Sequence, residues 1–377
     1  MKQLSIGLVI DDSLDRPDGV QQYVTTLGKW LESQGHKVHY ITGGPQDKQR
    51  KQVHVIGKNV QVRFNGNRLS LPLPVNRAKI EKLLTSDKFD VLHVQLPCSP
   101  WLAGRVVEAA SEQTALVGTF HIVPESPFIK LVSKGLELYE RSMLERFHVV
   151  ASVSPAAQDF ALDAFGLKSS VVPNAINLKA YKLPAKPRQT KEPLTIIFLG
   201  RLVERKGCKY LLKAIARLVK QPNLPEFRVL IAGRGPLEMS LKDYVVRHKL
   251  EDHVSFSGFI AEADKPKFLG KADIAVFPST GGESFGIVLL EAMAGVPGAV
   301  LAGNNEGYAS VMYPHDKQLF EPQDSRGLAD KLAYYLQTES ARQRARAWQA
   351  EHVKQFSIDL VGPRILKLYD QALLRSR

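Results

Sequence analysis

Two glutamates, one in a glycine-rich loop and one eight residues on, stand in the most chemically specific stretch of this chain: Gly281-Gly282-Glu283-Ser284-Phe285-Gly286-Ile287-Val288-Leu289-Leu290-Glu291-Ala292-Met293-Ala294. A loop of this kind exposes backbone N–H groups where a helix begins, and amides plus helix dipole make an anion site. A carboxylate would repel a phosphate bound there, so Glu283 suits the hydroxyls of a neutral group attached to the phosphate. Alone, the two acids would read as a solvated loop residue and a surface helix residue; their glycine-rich, apolar setting argues for function.

A second element, Gly200-Arg201-Leu202-Val203-Glu204-Arg205-Lys206-Gly207, follows an apolar run and opens a helix. Arg201 offers phosphate a planar fork and Lys206 a compact charge. By itself it is an ordinary basic surface turn, but it lies at a strand's carboxyl end in the half of the chain that carries the glycine loop. His121 ends Thr119-Phe120-His121 after another such run, although a lone histidine is more often packed or simply surface-exposed. Asp18-Gly19-Val20-Gln21-Gln22-Tyr23 enters a helix, where Gly19 permits close backbone approach and Asp18 needs a cation such as Arg16 beside a phosphate. Gly233-Arg234-Gly235 lacks the third glycine of a dinucleotide fingerprint, and the chain has neither a Walker A lysine loop nor His-Glu-x-x-His.

Strands must place these loops. The 377 residues fit two or three domains at about 100–200 each. Apolar runs at 4–10, 37–42, 90–94, 115–119 and 148–152, with helices near 20–31, after Pro100 and at 128–146, predict a parallel α/β domain. Residues 53–64 alternate about Gly57-Lys58-Asn59, which predicts a hairpin there. A basic stretch with Pro184, Pro187 and Pro193 has linker composition. The alternation then restarts, with strands predicted at 194–200, 227–233, 254–257, 273–278 and 298–302, interleaved helices at 208–220, 237–248 and 285–294, and closing helices at 328–336, 342–354 and 358–374.

Charge is uneven. The formal +13 concentrates in residues 48–88, at +8, and residues 171–206, at +6. No helix-turn-helix, zinc-finger or stacking signature accompanies it, which argues against nucleic acid. Two cysteines, Cys98 and Cys208, make no disulfide framework or four-ligand zinc site and point to a reducing compartment. The run at 4–10 is too short for a signal-peptide or membrane segment, so a cytosolic protein is expected. Residues 71–84 place Ile80, Leu83 and Leu84 opposite Arg77, Lys79 and Lys82. This is either a surface helix facing its own sheet or an element lying on an anionic bilayer.

Together these motifs resemble the family-4 retaining glycosyltransferases of the GT-B fold along nearly the whole chain. The Glu-x7-Glu segment is the most specific, and Gly200-Arg201 with Lys206-Gly207, Val172-Pro173-Asn174 and Thr119-Phe120-His121 follow in the family's order. Within that family the chain is most similar to phosphatidylinositol mannosyltransferases, in Gly19-Val20-Gln21, in Gly281 through Met293 and in the last helix.

The resemblance implies two Rossmann-like domains facing a deep cleft. Residues 1–172 would bind the acceptor, 173–355 the sugar nucleotide, and 356–377 would form a helix returning to the first domain. It places Glu283 on the donor sugar, Glu291 on the ribose, and Arg201 and Lys206 on the diphosphate. Backbone groups at Phe285, Gly286 and Ile287 would add phosphate contacts, with Gly19 and Gly233 in the donor set. His121 would touch the sugar, and Gln21 and Tyr23 the acceptor. His121, Glu283, Arg201 and Lys206 form the expected catalytic set. No cofactor or metal is implied, since cations and helix dipoles can neutralise the leaving diphosphate.

The expected activity is transfer of a hexose, mannose from GDP-mannose first, with retention onto a lipid-linked polyol such as phosphatidylinositol. The enzyme would be a monomer on the inner face of the membrane. A UDP-sugar donor with diacylglycerol or a soluble acceptor is the rival, and a non-catalytic sugar-nucleotide or lipid binder comes third. Two departures from the family pattern stand out: Asp18-Gly19 replaces its usual Gly-Gly, and Gln95-Leu96-Pro97-Cys98 and Ile122-Val123-Pro124-Glu125 do not match its inositol-binding residues.

Overall fold

The computed structural model describes residues 2–15, 18–44, 52–64, 67–73, 75–121, 142–181 and 192–377, without the side chains of 60–72. The chain divides into two units: Met1–Ile176 with Phe356–Arg377, and Asn177–Gln355.

The first unit runs β1 (Ser5–Ile10), α1 (Gly19–Ser33), β2 (Lys37–Thr42), β3 (Val53–Val55), β4 (Asn59–Phe64), β5 (Asn67–Pro72), α2 (Arg77–Asp87), β6 (Val91–Gln95), α3 (Leu102–Ala109), β7 (Ala115–Phe120), β8 (Val149–Ser152), α4 (Pro155–Phe165) and β9 (Ser170–Val171). Seven strands pair in parallel in the order β3-β2-β1-β6-β7-β8-β9. Central strands such as β6, buried at every residue, need apolar side chains on both faces, which is why they read as continuous apolar runs.

The second unit runs β10 (Leu194–Leu199), α5 (Cys208–Leu218), β11 (Phe227–Ala232), α6 (Glu238–Arg247), β12 (Val254–Gly258), α7 (Lys265–Leu269), β13 (Ile274–Phe277), α8 (Ile287–Gly295), β14 (Ala299–Gly303), α9 (Glu306–Met312), β15 (Leu319–Phe320), α10 (Ser325–Gln337) and α11 (Glu339–His352). Its six strands are parallel in the order β12-β11-β10-β13-β14-β15. Ile196, Phe198, Val229 and Ile231 pack against Leu211, Leu212, Ile215 and Leu218 of α5. The apolar spacing of that helix follows from this one-sided burial.

Both sheets reverse their winding at one strand. β10 has β11 on one side and β13 on the other, so the loops leaving β10 and β13 diverge over a crevice at the carboxyl edge, where open α/β sheets take ligands. β1 plays the same part between β2 and β6.

The last helix, α12 (Ile358–Arg375), belongs to the first unit and packs on α1, β7 and β8. Ile176 and Phe356 exchange the chain back: Ile176 N–H donates to Phe356 O at 2.9 Å and Ile358 N–H to Ile176 O at 2.9 Å. Tyr369 of α12 is fully buried, and its hydroxyl lies 2.8 Å from Nδ1 of buried His93 on β6.

One local expectation changes. Residues 53–64 are not one hairpin: β3 joins the large sheet parallel to β2, and β4 pairs antiparallel with β5 instead. The sequence between β4 and β5 is Asn65-Gly66, a stronger two-residue hairpin signal than Gly57-Lys58-Asn59. Most of the helix expected at 128–146 lies outside the described residues, as do Arg16, residues 122–125 and 182–191 of the basic linker. Tyr369→Phe, which strands a buried His93 nitrogen, is expected to cost the first unit about 1–3 kcal/mol, seen as a lower urea midpoint with the fold retained by circular dichroism.

Candidate active site

Glu283 is held in a largely buried ionic knot at the carboxyl edge of the second sheet. It is 9% exposed. Lys206 Nζ lies 2.7 Å and Arg205 Nη1 2.8 Å from its Oε1, and Ser279 Oγ donates to the same oxygen at 2.7 Å. Burial pushes the carboxyl pKa up, but the charges of Lys206 and Arg205, with hydrogen bonds from Lys206 and Ser279, outweigh it and hold it below its ordinary value. Glu283 is therefore ionised at neutral pH.

The sheet explains the meeting. Arg205 and Lys206 sit in a 3₁₀ turn after β10, and Ser279 and Glu283 follow β13, its neighbour across the winding reversal. Gly207 ends the turn at φ +69°, and a Cβ there would lie 1.8 Å from the carbonyl oxygen of Pro278. Only glycine lets the two loops pass so closely. Thr280 N–H donates to Arg205 O at 2.8 Å, fastening one loop to the other. Gly286 precedes α8, whose first amides lack intrahelical acceptors, so cations, amides and dipole converge on one place.

Glu291, within α8, is not the surface acid its isolated sequence would allow; it is 3% exposed. Lys265 Nζ contacts its Oε1 at 3.0 Å and its Oε2 at 3.3 Å, and Tyr181 OH donates to Oε1 at 3.0 Å. Lys265 also pairs with Glu262 at 2.6 Å. Burial pushes the Glu291 pKa up; Lys265 opposes this without reversing it. Glu291 and Glu283 are thus held differently, one between a lysine and a tyrosine, the other by two cations and a serine.

Arg201 lies in the β10 loop, partly exposed. Phe285 is 4% exposed, its ring in the core, so only its backbone can serve a ligand. Gly233, at the end of β11, has φ +138°, and a Cβ would lie 1.8 Å from Gly200 O. Strand-end packing alone accounts for glycine there.

In the first unit His121 follows β7, 7% exposed. Gln95 at the end of β6 donates its amide to His93 O at 3.5 Å, which turns Oε1 toward His121 Nε2 at 2.8 Å. Nε2 then carries the proton and Nδ1 the lone pair. Burial, reinforced by His93, pushes the His121 pKa down to about 3, so the ring is neutral at physiological pH and its Nδ1 can act as an acceptor. Tyr23 is 2% exposed, its ring 5.0 Å from that of His121 and 6.4 Å from that of His93. It packs beside the histidine. Gln21 is also buried, its amide 3.4 Å from Asp12 Oδ2. Gly19 opens α1, and Asp18 makes no side-chain cap there.

The membrane expectation changes in kind. Ile80 and Leu83 are buried where α2 meets α3, so the helix's apolar side is already used within the domain. Its outer side leaves Arg77, Lys79 and Lys82 exposed, with Arg77 paired to Glu81 at 2.7 Å. No helix among the described residues is long and apolar enough to cross a membrane.

Sequence motifs located Glu283, Glu291, Arg201, Lys206 and His121. They also put Arg205 with Arg201 and Lys206 at a phosphate site, but missed Ser279, Lys265, Tyr181 and Gln95. Gln95 ends a strand just as His121 follows one, so that signal was available; Lys265 and Tyr181 come from segments remote from Glu291 in sequence, with no local mark.

Comparison with known proteins shows the family. Residues 181–351 match the family described as glycosyl transferases group 1, and residues 17–180 match glycosyltransferase family 4. A phosphatidyl-myo-inositol mannosyltransferase of Mycolicibacterium smegmatis is 31% identical over 373 residues, covering 97% of this chain and 94% of that protein. An alpha-monoglucosyldiacylglycerol synthase of Streptococcus pneumoniae is 24% identical over 320 residues, covering 80% and 71%. The crystal structure of a glycosyltransferase from Rickettsia africae superposes with a TM-score of 0.77 at 19% identity, over 99% of each chain, a likeness of fold. On sequence across both halves and on fold, the chain belongs to the family-4 glycosyltransferases and is a GT-B hexosyltransferase similar to the phosphatidyl-myo-inositol mannosyltransferases.

Proposed function

We propose that this enzyme moves mannose from GDP-mannose, with retention, onto the inositol of a phosphatidylinositol-type lipid. The observation that carries the donor half is the knot of Arg205, Lys206, Ser279 and Glu283 beside the start of α8. Without a ligand the cations neutralise Glu283. A diphosphate placed among Arg201, Lys206 and the α8 amides takes over that charge, and Glu283 is released toward the sugar hydroxyls. Negative charge develops on the leaving diphosphate in the transition state, where pre-placed cations act most strongly. Departing phosphate oxygen then takes the proton of the acceptor hydroxyl, which attacks from the same face. His121, neutral, accepts from a sugar hydroxyl through Nδ1. Glu291, with Lys265 and Tyr181 fixing its carboxylate, accepts from the ribose.

The lipid acceptor is supported by similarity to inositol-lipid mannosyltransferases across 97% of the chain, first domain included. A UDP-sugar acting on diacylglycerol is the second reading, supported by the more distant streptococcal relative. We place the enzyme peripherally on an anionic membrane, held by the exposed charges of α2 rather than by its apolar side.

Arg201→Ala or Lys206→Ala is expected to lower kcat by about two to three powers of ten, the scale of losing one oxyanion donor, in a radiolabelled transfer assay offering GDP-mannose or UDP-glucose with phosphatidylinositol or diacylglycerol vesicles. Near-full activity in either variant contradicts the diphosphate assignment, and preference for UDP-glucose selects the second reading. Because His121 is already neutral far below its ordinary 6.5, the pH profile of kcat should show no acidic limb near that value. The enzyme should sediment with anionic but not zwitterionic vesicles, lose binding at high salt, and lose it in Lys79→Glu with Lys82→Glu, at about 1 kcal/mol for each cation removed; salt-insensitive binding would contradict attachment by charge.

A further inference from the structure

Away from both parts of the site, the first unit brings two imidazoles and a carboxylate together at one sheet edge. β3 is the outermost strand and pairs with β2, so His54 lies beside His39. Their rings stack with centroids 5.1 Å apart and planes 11° off parallel, and His39 Nδ1 is 2.8 Å from His54 Nε2. Asp87, the last residue of α2, puts Oδ1 4.0 Å from His39 Nδ1. The ligand atoms of all three residues lie within 4.8 Å of one another.

We propose that His39, His54 and Asp87 form a binding site for a zinc-type divalent transition-metal ion, with water as the fourth ligand. Two imidazoles and one carboxylate, with an open position, are a donor set that zinc accepts. Bonds of about 2.0–2.1 Å in a tetrahedron separate two ligand atoms by about 3.3 Å. The two nitrogens open by about half an ångström and the carboxylate closes by somewhat more, an adjustment made by the partly exposed His54 and Asp87 about a buried His39. Phe89 packs edge-on against the His39 ring, centroids 5.2 Å apart, and fixes its plane.

The protonation state suits a cation. Each neutral imidazole keeps one lone pair for a metal. The facing nitrogens now share one proton. On metal binding that proton moves to the far nitrogen of its own ring, leaving one N–H on each imidazole and none lost to solvent. Lys37 Nζ, 3.9 Å from the same Asp87 oxygen, is the competing cation, and its side chain is 48% exposed. It is free to swing into water when a divalent ion takes the carboxylate.

Such an ion would join three separate pieces: central β2, the three-residue edge strand β3, and the end of the helix that carries Lys79 and Lys82. An ion that binds the folded site and not the unfolded chain adds its binding free energy to stability.

The test uses the full-length protein stripped of metal and titrated with zinc chloride, followed by calorimetry and thermal melting, with cobalt(II) as a spectroscopic probe. One zinc per chain is expected to bind saturably and raise the melting temperature, and cobalt to give the visible bands of a four-coordinate site. His54→Asn and Asp87→Asn, both at partly exposed positions, should each weaken zinc at least tenfold and abolish the melting shift, and Lys37→Ala should tighten it. Two ligand variants guard against one failing to fold. Absence of saturable zinc binding, or affinity unchanged in either ligand variant with native circular dichroism, overturns the proposal.

Discussion

Taking a carboxylate out of water costs several kcal/mol unless cations and hydrogen bonds replace the lost hydration. Glu283 meets that demand with two cations and a serine on a single oxygen. Much of the second unit follows from the requirement. The cations come from the loop after β10 and the carboxylate from the loop after β13, and only a sheet that reverses its winding between those strands brings the loops to one place. Gly207 is needed because the loops then pass within backbone contact of each other. The proposed function uses the same cluster for exchange, because a diphosphate offers the cations more charge than one carboxylate does.

The first unit uses a neutral version of the same strategy. Thr119 and Tyr369 take both nitrogens of His93, at 2.7 and 2.8 Å, and Gln95 takes Nε2 of His121. These rings are too deeply buried to be charged, so their hydrogen bonds set orientation and tautomer. Tyr369 arrives from the far end of the chain on α12, which makes the last helix part of the histidine network as well as part of the packing.

Much of this was legible in the sequence, for a physical reason. Parallel strands buried on both faces leave continuous apolar runs, and loops at their carboxyl ends carry the unusual residues; the sequence marks Arg201, Lys206, His121, Glu283 and Glu291 in this way, and of these the structure joins Lys206 to Glu283. The unread parts depend on long-range partners. Nothing local reveals that Lys265 and Tyr181 close on Glu291, or that Ile80 and Leu83 of α2 are spent on α3 instead of facing a bilayer. The hairpin was misplaced because a glycine-containing turn at 57–59 looked sufficient, while Asn65-Gly66 six residues on was the better match to tight antiparallel pairing.

In the proposed function, the Arg205, Lys206 and Glu283 knot is a diphosphate site held closed by its own carboxylate. A crystal structure of the enzyme with bound GDP tests it most directly. The account predicts the diphosphate at the start of α8, within hydrogen-bond distance of Arg201 and Lys206, with the contact between Lys206 and Glu283 broken. GDP bound elsewhere, or bound with Lys206 still on Glu283 and no cation on phosphate, would contradict it.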